Sequence, residues 1–301
     1  MLKLIRAGIF RYIHSTAFKV CSALALAVGF IFAHNIYKNV ELDESWFFTA
    51  TIIFASLIAI NVGGEISKCA KNKITAGYSK TKIFLSELIV ANLAILFFFV
   101  LFLLFSFVMN VRLLPHIPLK LALLYIFGFM CISVSLATVF FSITCIIPKK
   151  AVSAILCLVL LFSLYYTSDK VDYALEQPEF MQQATIDENG EWFKFEVENP
   201  EYIKEPLRSI YTFYSDINPF GQREKYETII YPYLFDDARL ELLRKNTQEQ
   251  AANPEYLLEK LERNVSESEW EFIHRAPLYA LAPVPVFTLA GWLVFRKKEF
   301  R

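Results

Sequence analysis

Apolar and polar positions in this chain are segregated into long blocks. Leu121–Ile147 runs 27 residues without a charge, and Leu88–Met109 has Asn92 as its main polar interruption. Ala151–Thr167 is shorter and closes on Tyr165 and Tyr166, residues suited to a membrane interface. Val20–Ile36 and Trp46–Gly64 form an earlier pair, and Ala276–Phe295 is the last run. Uncharged runs of about 17 to 25 residues have the length that crosses a bilayer as a helix, whereas buried helices of soluble proteins rarely stay uncharged so long. The pattern predicts an all-α polytopic membrane protein with six transmembrane helices, at about 20–36, 46–64, 84–109, 119–147, 151–167 and 276–295. The last run contains Pro277, Pro283 and Pro285, which predicts a kink or break near its outer end. The first run is expected to stay in the mature chain, because Phe32-Ala33-His34 is a poor cleavage site and the basic lead-in is long.

Ahead of the first run, Leu2, Ile5, Ile9, Tyr12 and Ile13 share one face of a helical wheel, and Lys3, Arg6, Arg11 and His14 share another. This predicts an N-terminal amphipathic helix lying in the membrane interface. The chain thus divides into 1–167, with this helix and helices one to five, 168–275, an extracytoplasmic and mainly helical domain, and 276–301, the sixth helix with a basic tail.

Composition sharpens the picture. The chain is 55% hydrophobic, with 29 Phe against 9 Gly, and its net charge of zero conceals an uneven distribution. Basic residues gather at the N-terminus, in 65–83, at Lys149-Lys150 and in the tail, while the short loops on the other side hold only Lys38, Arg112 and Lys120. By the positive-inside rule both termini are cytoplasmic. Residues 168–275 carry 24 acids and 12 bases and fall outside. None of the five cysteines lies there, so that domain is expected to hold without disulfides. Within it Trp192, Phe193, Phe195 and Val197 alternate after Asn189-Gly190. Further on, the apolar positions of 238–243 and 256–261 predict two or three helices broken near Asn253-Pro254.

Reactive groups are sparse. The four histidines are scattered, and neither a His-Glu-x-x-His motif nor a Walker-type glycine loop is present, which argues against a membrane enzyme and places any energy source on another chain. Glu87 is the one carboxylate inside an apolar run, close to its cytoplasmic end, where it is expected either to reach the membrane interface or to pair with Lys82 or Lys80.

The stretch from Gly64 to Ser86 carries Glu65, then Lys71-Asn72-Lys73, Gly77, Ser79 and Lys80. It resembles the first cytoplasmic loop of ABC-2 type transporter permeases, which place an acid, a basic-Asn-Lys stretch, a Gly, a Ser and a basic residue there. The ending Gly291–Phe295 followed by Arg296-Lys297-Lys298-Glu299-Phe300 is similar to the basic tail of such permeases. The stretch from Pro206 to Tyr211, followed by Asp216-Ile217-Asn218-Pro219-Phe220-Gly221-Gln222, resembles an outer segment of Gram-positive members. The resemblance implies a bacterial cell-membrane protein, without catalytic residues or metal of its own, that exports an amphipathic substrate such as a peptide, bacteriocin, lipid or drug. It implies an ABC ATPase subunit carrying ATP and Mg, a second permease copy or similar chain, and membrane lipid as partners, with no nucleic acid. It also implies that Glu65, Lys71, Asn72, Lys73, Gly77, Ser79 and Lys80 form the ATPase-coupling loop. The outer insertion of 108 residues departs from the short re-entrant helices of many family members. A membrane sensor or immunity protein that binds a peptide outside and transports nothing is the alternative.

Overall fold

A computed structural model describes residues 1–39, 44–109, 117–147, 149–186, 192–230, 233, 241, 244–245 and 265–298. The order is α1 (Leu2–Ile13), α2 (Thr16–Asn39), α3 (Glu44–Thr75), α4 (Lys80–Met109), α5 (Leu119–Ile146) and α6 (Lys150–Glu176). There follow β1 (Phe180–Ile186), β2 (Trp192–Glu198), α7 (Leu207–Ile217) and α8 (Pro219–Ile230). The chain closes with α9 (Glu267–Leu281) and α10 (Pro283–Lys297). The protein is therefore mostly helical, as its sequence predicts.

Among the described residues four stretches are long and apolar enough to cross a membrane: Lys80–Leu101, Leu119–Ile146, Lys150–Glu176 and Glu267–Lys297. A fifth is present if Ile53–Ile66 and Cys69–Thr75, which meet at a bend of 48°, count as one span. The first expected span lies in α2, whose stretch Thr16–Ala27 is apolar but shorter than a crossing.

The chain divides into two compact units, one of Met1–Val159 with Lys225–Arg301 and one of Leu160–Glu224. In the first, α5 is the central helix, packed against α3, α4, α9 and α10. It is buried along most of its length from Gly128 onward. Two of its small polar side chains return their hydroxyls to the preceding turn, Ser133 to the Phe129 carbonyl at 2.8 Å and Thr138 to that of Val134 at 2.9 Å. Such bonds let Ser and Thr sit inside an apolar bundle without an orphaned donor. Small residues also admit close approach between helices. A methyl group on Gly63 of α3 would lie 1.8 Å from Thr144 Oγ1 of α5, and one on Gly8 of α1 would lie 2.7 Å from Val90 Cγ2 of α4.

The last span is interrupted only at Ala282, between α9 and α10, where the backbone keeps helical angles of φ −55° and ψ −38° and the two helices run on as one stretch. Pro283 opens α10, where its missing N–H costs least. α9 begins with a capping box in which Ser266 N–H donates to Glu269 Oε2 at 2.7 Å and Ser266 Oγ accepts from Glu269 N–H at 3.3 Å.

In the second unit the alternating stretch at Trp192 is β2, and it pairs antiparallel with β1 from Phe180↔Glu198 to Ile186↔Trp192. Helices α7 and α8 follow it. Asn189-Gly190, and the apolar positions read as helices at 238–243 and 256–261, lie outside the described residues.

Candidate functional site

Glu87 lies about two turns into α4 and is 1% exposed. A carboxylate removed from water needs compensating charge, and two cations supply it. Arg11 Nη2 of α1 donates to Glu87 Oε2 at 2.6 Å, and Lys73 Nζ of α3 donates to Oε1. The expected pairing with Lys82 or Lys80 is thus corrected. Lys82 is exposed, while the Lys80 amine donates to the backbone carbonyls of Arg296 at 3.0 Å and Lys298 at 2.6 Å. The reason is position: both lysines stand in the first turn of α4, whose open end faces the chain's C-terminal tail, whereas Glu87 faces α1 and α3.

α1 reaches this carboxylate because its buried stripe is Leu4, Gly8 and Tyr12, spaced four apart and laid on α4. Leu2 and Ile13, placed on the apolar face by the sequence, are exposed, as lipid-facing residues of an interfacial helix would be. Tyr12, assigned to that same face, is instead buried against Phe18 at 5.5 Å between ring centroids. Gly8 is the sequence signal for this packed face, and Arg11 borders it. Burial opposes the Arg11 charge, and Glu87 together with Cys69 and Glu65 more than offsets this, so the guanidinium is held above its usual pKa. Glu65 and Cys69 of α3 also stand within electrostatic reach of Arg11.

The loop after α3 has a local logic. Tyr78 N–H donates to the Lys73 carbonyl at 3.1 Å and Gly77 N–H to that of Ile74 at 2.9 Å, while Gly77 has φ +84°. This is a Schellman stop, which glycine meets without steric cost. Ser79 then caps α4, its Oγ accepting from Lys82 N–H at 3.4 Å. Lys71, Asn72, Thr75, Ala76, Gly77 and Ser79 are exposed, and Glu65 is half-buried. Lys73, with a side chain 16% exposed, is drawn inward to Glu87 and so is set apart from the exposed loop.

The tail completes this end of the bundle. Trp292 Nε1–H donates to Thr81 Oγ1 at 3.0 Å, the Arg296 guanidinium lies 5.5 Å from the centroid of the Trp292 ring, and Lys298 Nζ donates to the Cys145 carbonyl at the end of α5. Lysines here supply donors to last-turn carbonyls that a helix leaves unpaired.

The outer motif Asn218, Pro219, Gly221 and Gln222 lies at the α7–α8 junction, and it is buried rather than displayed. Asn218 Oδ1 accepts from Phe220 N–H at 2.9 Å, and its Nδ2 donates to the Leu164 carbonyl at 2.9 Å and to Tyr214 Oη at 3.0 Å. Pro219 is the first residue of α8, and the Gln222 amide donates to the Asp216 carbonyl. A methyl on Gly221 would lie 2.5 Å from the Ser215 carbonyl oxygen. Gly221→Ala is therefore expected to loosen Leu160–Glu224, read as faster limited proteolysis in that stretch with the helical bundle unaffected.

Among the described residues no group of three or more His, Cys, Asp or Glu is placed to hold a metal. Comparisons with protein-family models, curated proteins and solved structures find no match for the chain.

Proposed function

We propose that this chain is the membrane permease subunit of an ATP-driven exporter of the ABC-2 type, with six spans and cytoplasmic termini in a bacterial cell membrane. The observation that carries the proposal is the short segment Cys69–Thr75, bent away from the body of α3 and closed by a glycine stop. It presents Lys71, Asn72 and Thr75 to solvent at the basic end of the bundle. A rigid basic knob of this kind suits a groove on an ATPase subunit, which would carry ATP and Mg, and a second permease copy would complete the assembly. The substrate class is amphipathic: peptide, bacteriocin, lipid or drug. The acidic domain outside favours a cationic one by long-range attraction.

The test is affinity purification of the tagged chain in mild detergent alongside its natural neighbours. An ATP-hydrolysing subunit is expected in near-equal amount, and Lys71→Glu is expected to reduce its recovery while membrane insertion stays intact. Lys71 is the appropriate position because Lys73 is engaged with Glu87, so its reversal would act through the fold. Recovery of no ATPase from well-folded protein overturns the proposal in favour of a non-transporting sensor or immunity protein.

A further inference from the structure

We infer that Glu87 is a positioning residue that holds the segment beyond the α3 bend through a releasable link to Lys73. The consequence for ATPase docking rests on the function proposed above, but the link itself does not. Three elements meet on one carboxylate: α1 through Arg11, the bent-away segment of α3 through Lys73, and α4 through Glu87 itself. The bend of 48° lies between Ile66 and Cys69, and Lys73 is one helical turn beyond it. Its ion pair therefore ties the segment beyond the bend to α4. No proline stands at the bend to fix the angle covalently.

The charge balance makes the link releasable. Two cations contact the one buried carboxylate, and the half-buried Glu65 lies within electrostatic reach of Arg11. Withdrawing Lys73 leaves a matched Arg11–Glu87 pair, and no buried charge is stranded. Withdrawing Glu87 strands both cations. Lys73 is on a long flexible stem with its side chain already 16% exposed, so its ammonium has a short route to water. A simple one-to-one ion pair has no such exit, because its opening leaves the carboxylate buried and alone.

The link predicts an order of effects that general destabilisation does not. Spin labels are placed at Ala76→Cys, on the loop, and Leu289→Cys, on the exposed face of α10, in full-length protein in lipid nanodiscs. Cys21, Cys131, Cys145 and Cys157 are buried, so a Cys69→Ser background leaves the engineered positions to react. Pulsed electron resonance is expected to give one narrow distance in the parent. Lys73→Gln and Glu87→Gln are expected to broaden it or shift it by several ångströms. Arg11→Gln is expected to leave it narrow, since Lys73 then has the carboxylate to itself. A narrow distance in Lys73→Gln, or equal broadening in Arg11→Gln, overturns the inference. Lys73→Gln keeps a matched buried pair, so the test stands even if Glu87→Gln does not fold. Broadening in Lys73→Gln with unchanged ATPase recovery in Lys71→Glu would sustain the link and count against docking through this loop.

Discussion

Glu87→Met is expected to remove about 3–5 kcal/mol from the folded state, and adding Arg11→Met and Lys73→Met is expected to return most of it. The single change takes away the anion and leaves two cations facing apolar surroundings. The triple change takes away every charge and fills the space with flexible apolar side chains. Side-chain exposures of 30% for Arg11 and 16% for Lys73 let both cations relax partly into water, which puts the expected loss at the lower end. Arg11→Met or Lys73→Met alone should cost less than Glu87→Met, because each leaves a one-to-one pair. The measurement is denaturant or thermal unfolding in one detergent across the series. A triple variant as unstable as Glu87→Met would show that the hydrogen-bond geometry, rather than unpaired charge, sets the loss. Stability regained in the triple variant would not restore control of the loop, because the link between α3 and α4 is gone. Stability and positioning should therefore separate in this one series.

The helical content was legible because an uncharged run of bilayer length has few other solutions, and α5 follows its expected span closely, whereas α6 runs on to Glu176, past the expected end at 167. The proline triplet marked the place where α9 gives way to α10, but the backbone at Ala282 stays helical. Glu87 was identifiable as the lone carboxylate in an apolar run, yet its partners were not. Sequence proximity favours Lys82 and Lys80, while the fold brings Arg11 from 76 positions away. Tertiary packing decided that choice through Gly8, whose missing side chain lets α1 approach Val90. The wheel for α1 separated apolar from basic positions but held no information on which side meets protein and which meets lipid. The outer motif shows the opposite error: polar residues such as Asn218 and Gln222 look available for binding, but buried polar side chains also serve to close turns. Gly77 and Ser79 were singled out only through the family resemblance, while in the fold they are a helix stop and a helix cap.

Gly63→Ala is expected to destabilise the bundle by about 1–3 kcal/mol, the usual range for overpacking a filled core, and Thr144→Ala is expected to rescue only part of that. The added methyl would lie 1.8 Å from Thr144 Oγ1, 3.0 Å from Thr144 Cβ and 3.2 Å from the Phe141 carbonyl oxygen. Rotating the hydroxyl aside forfeits its 2.7 Å bond to that same carbonyl, inside a helix with no water to replace it. Deleting the hydroxyl removes the worst contact and leaves the two tighter-than-usual ones, to the Cβ and to backbone that can yield only if α3 and α5 separate. Unfolding of the single and double variants in detergent measures the rescue. Gly63 stands three residues before Ile66, where the bend begins, so any separation at Gly63 acts on the base of the bent segment. The loop distance in Gly63→Ala should therefore shift even though Lys73 and Glu87 are intact. Full rescue by Thr144→Ala would mean that the hydroxyl alone set the spacing, whereas partial rescue makes backbone approach at Gly63 the determinant of how α3 meets α5.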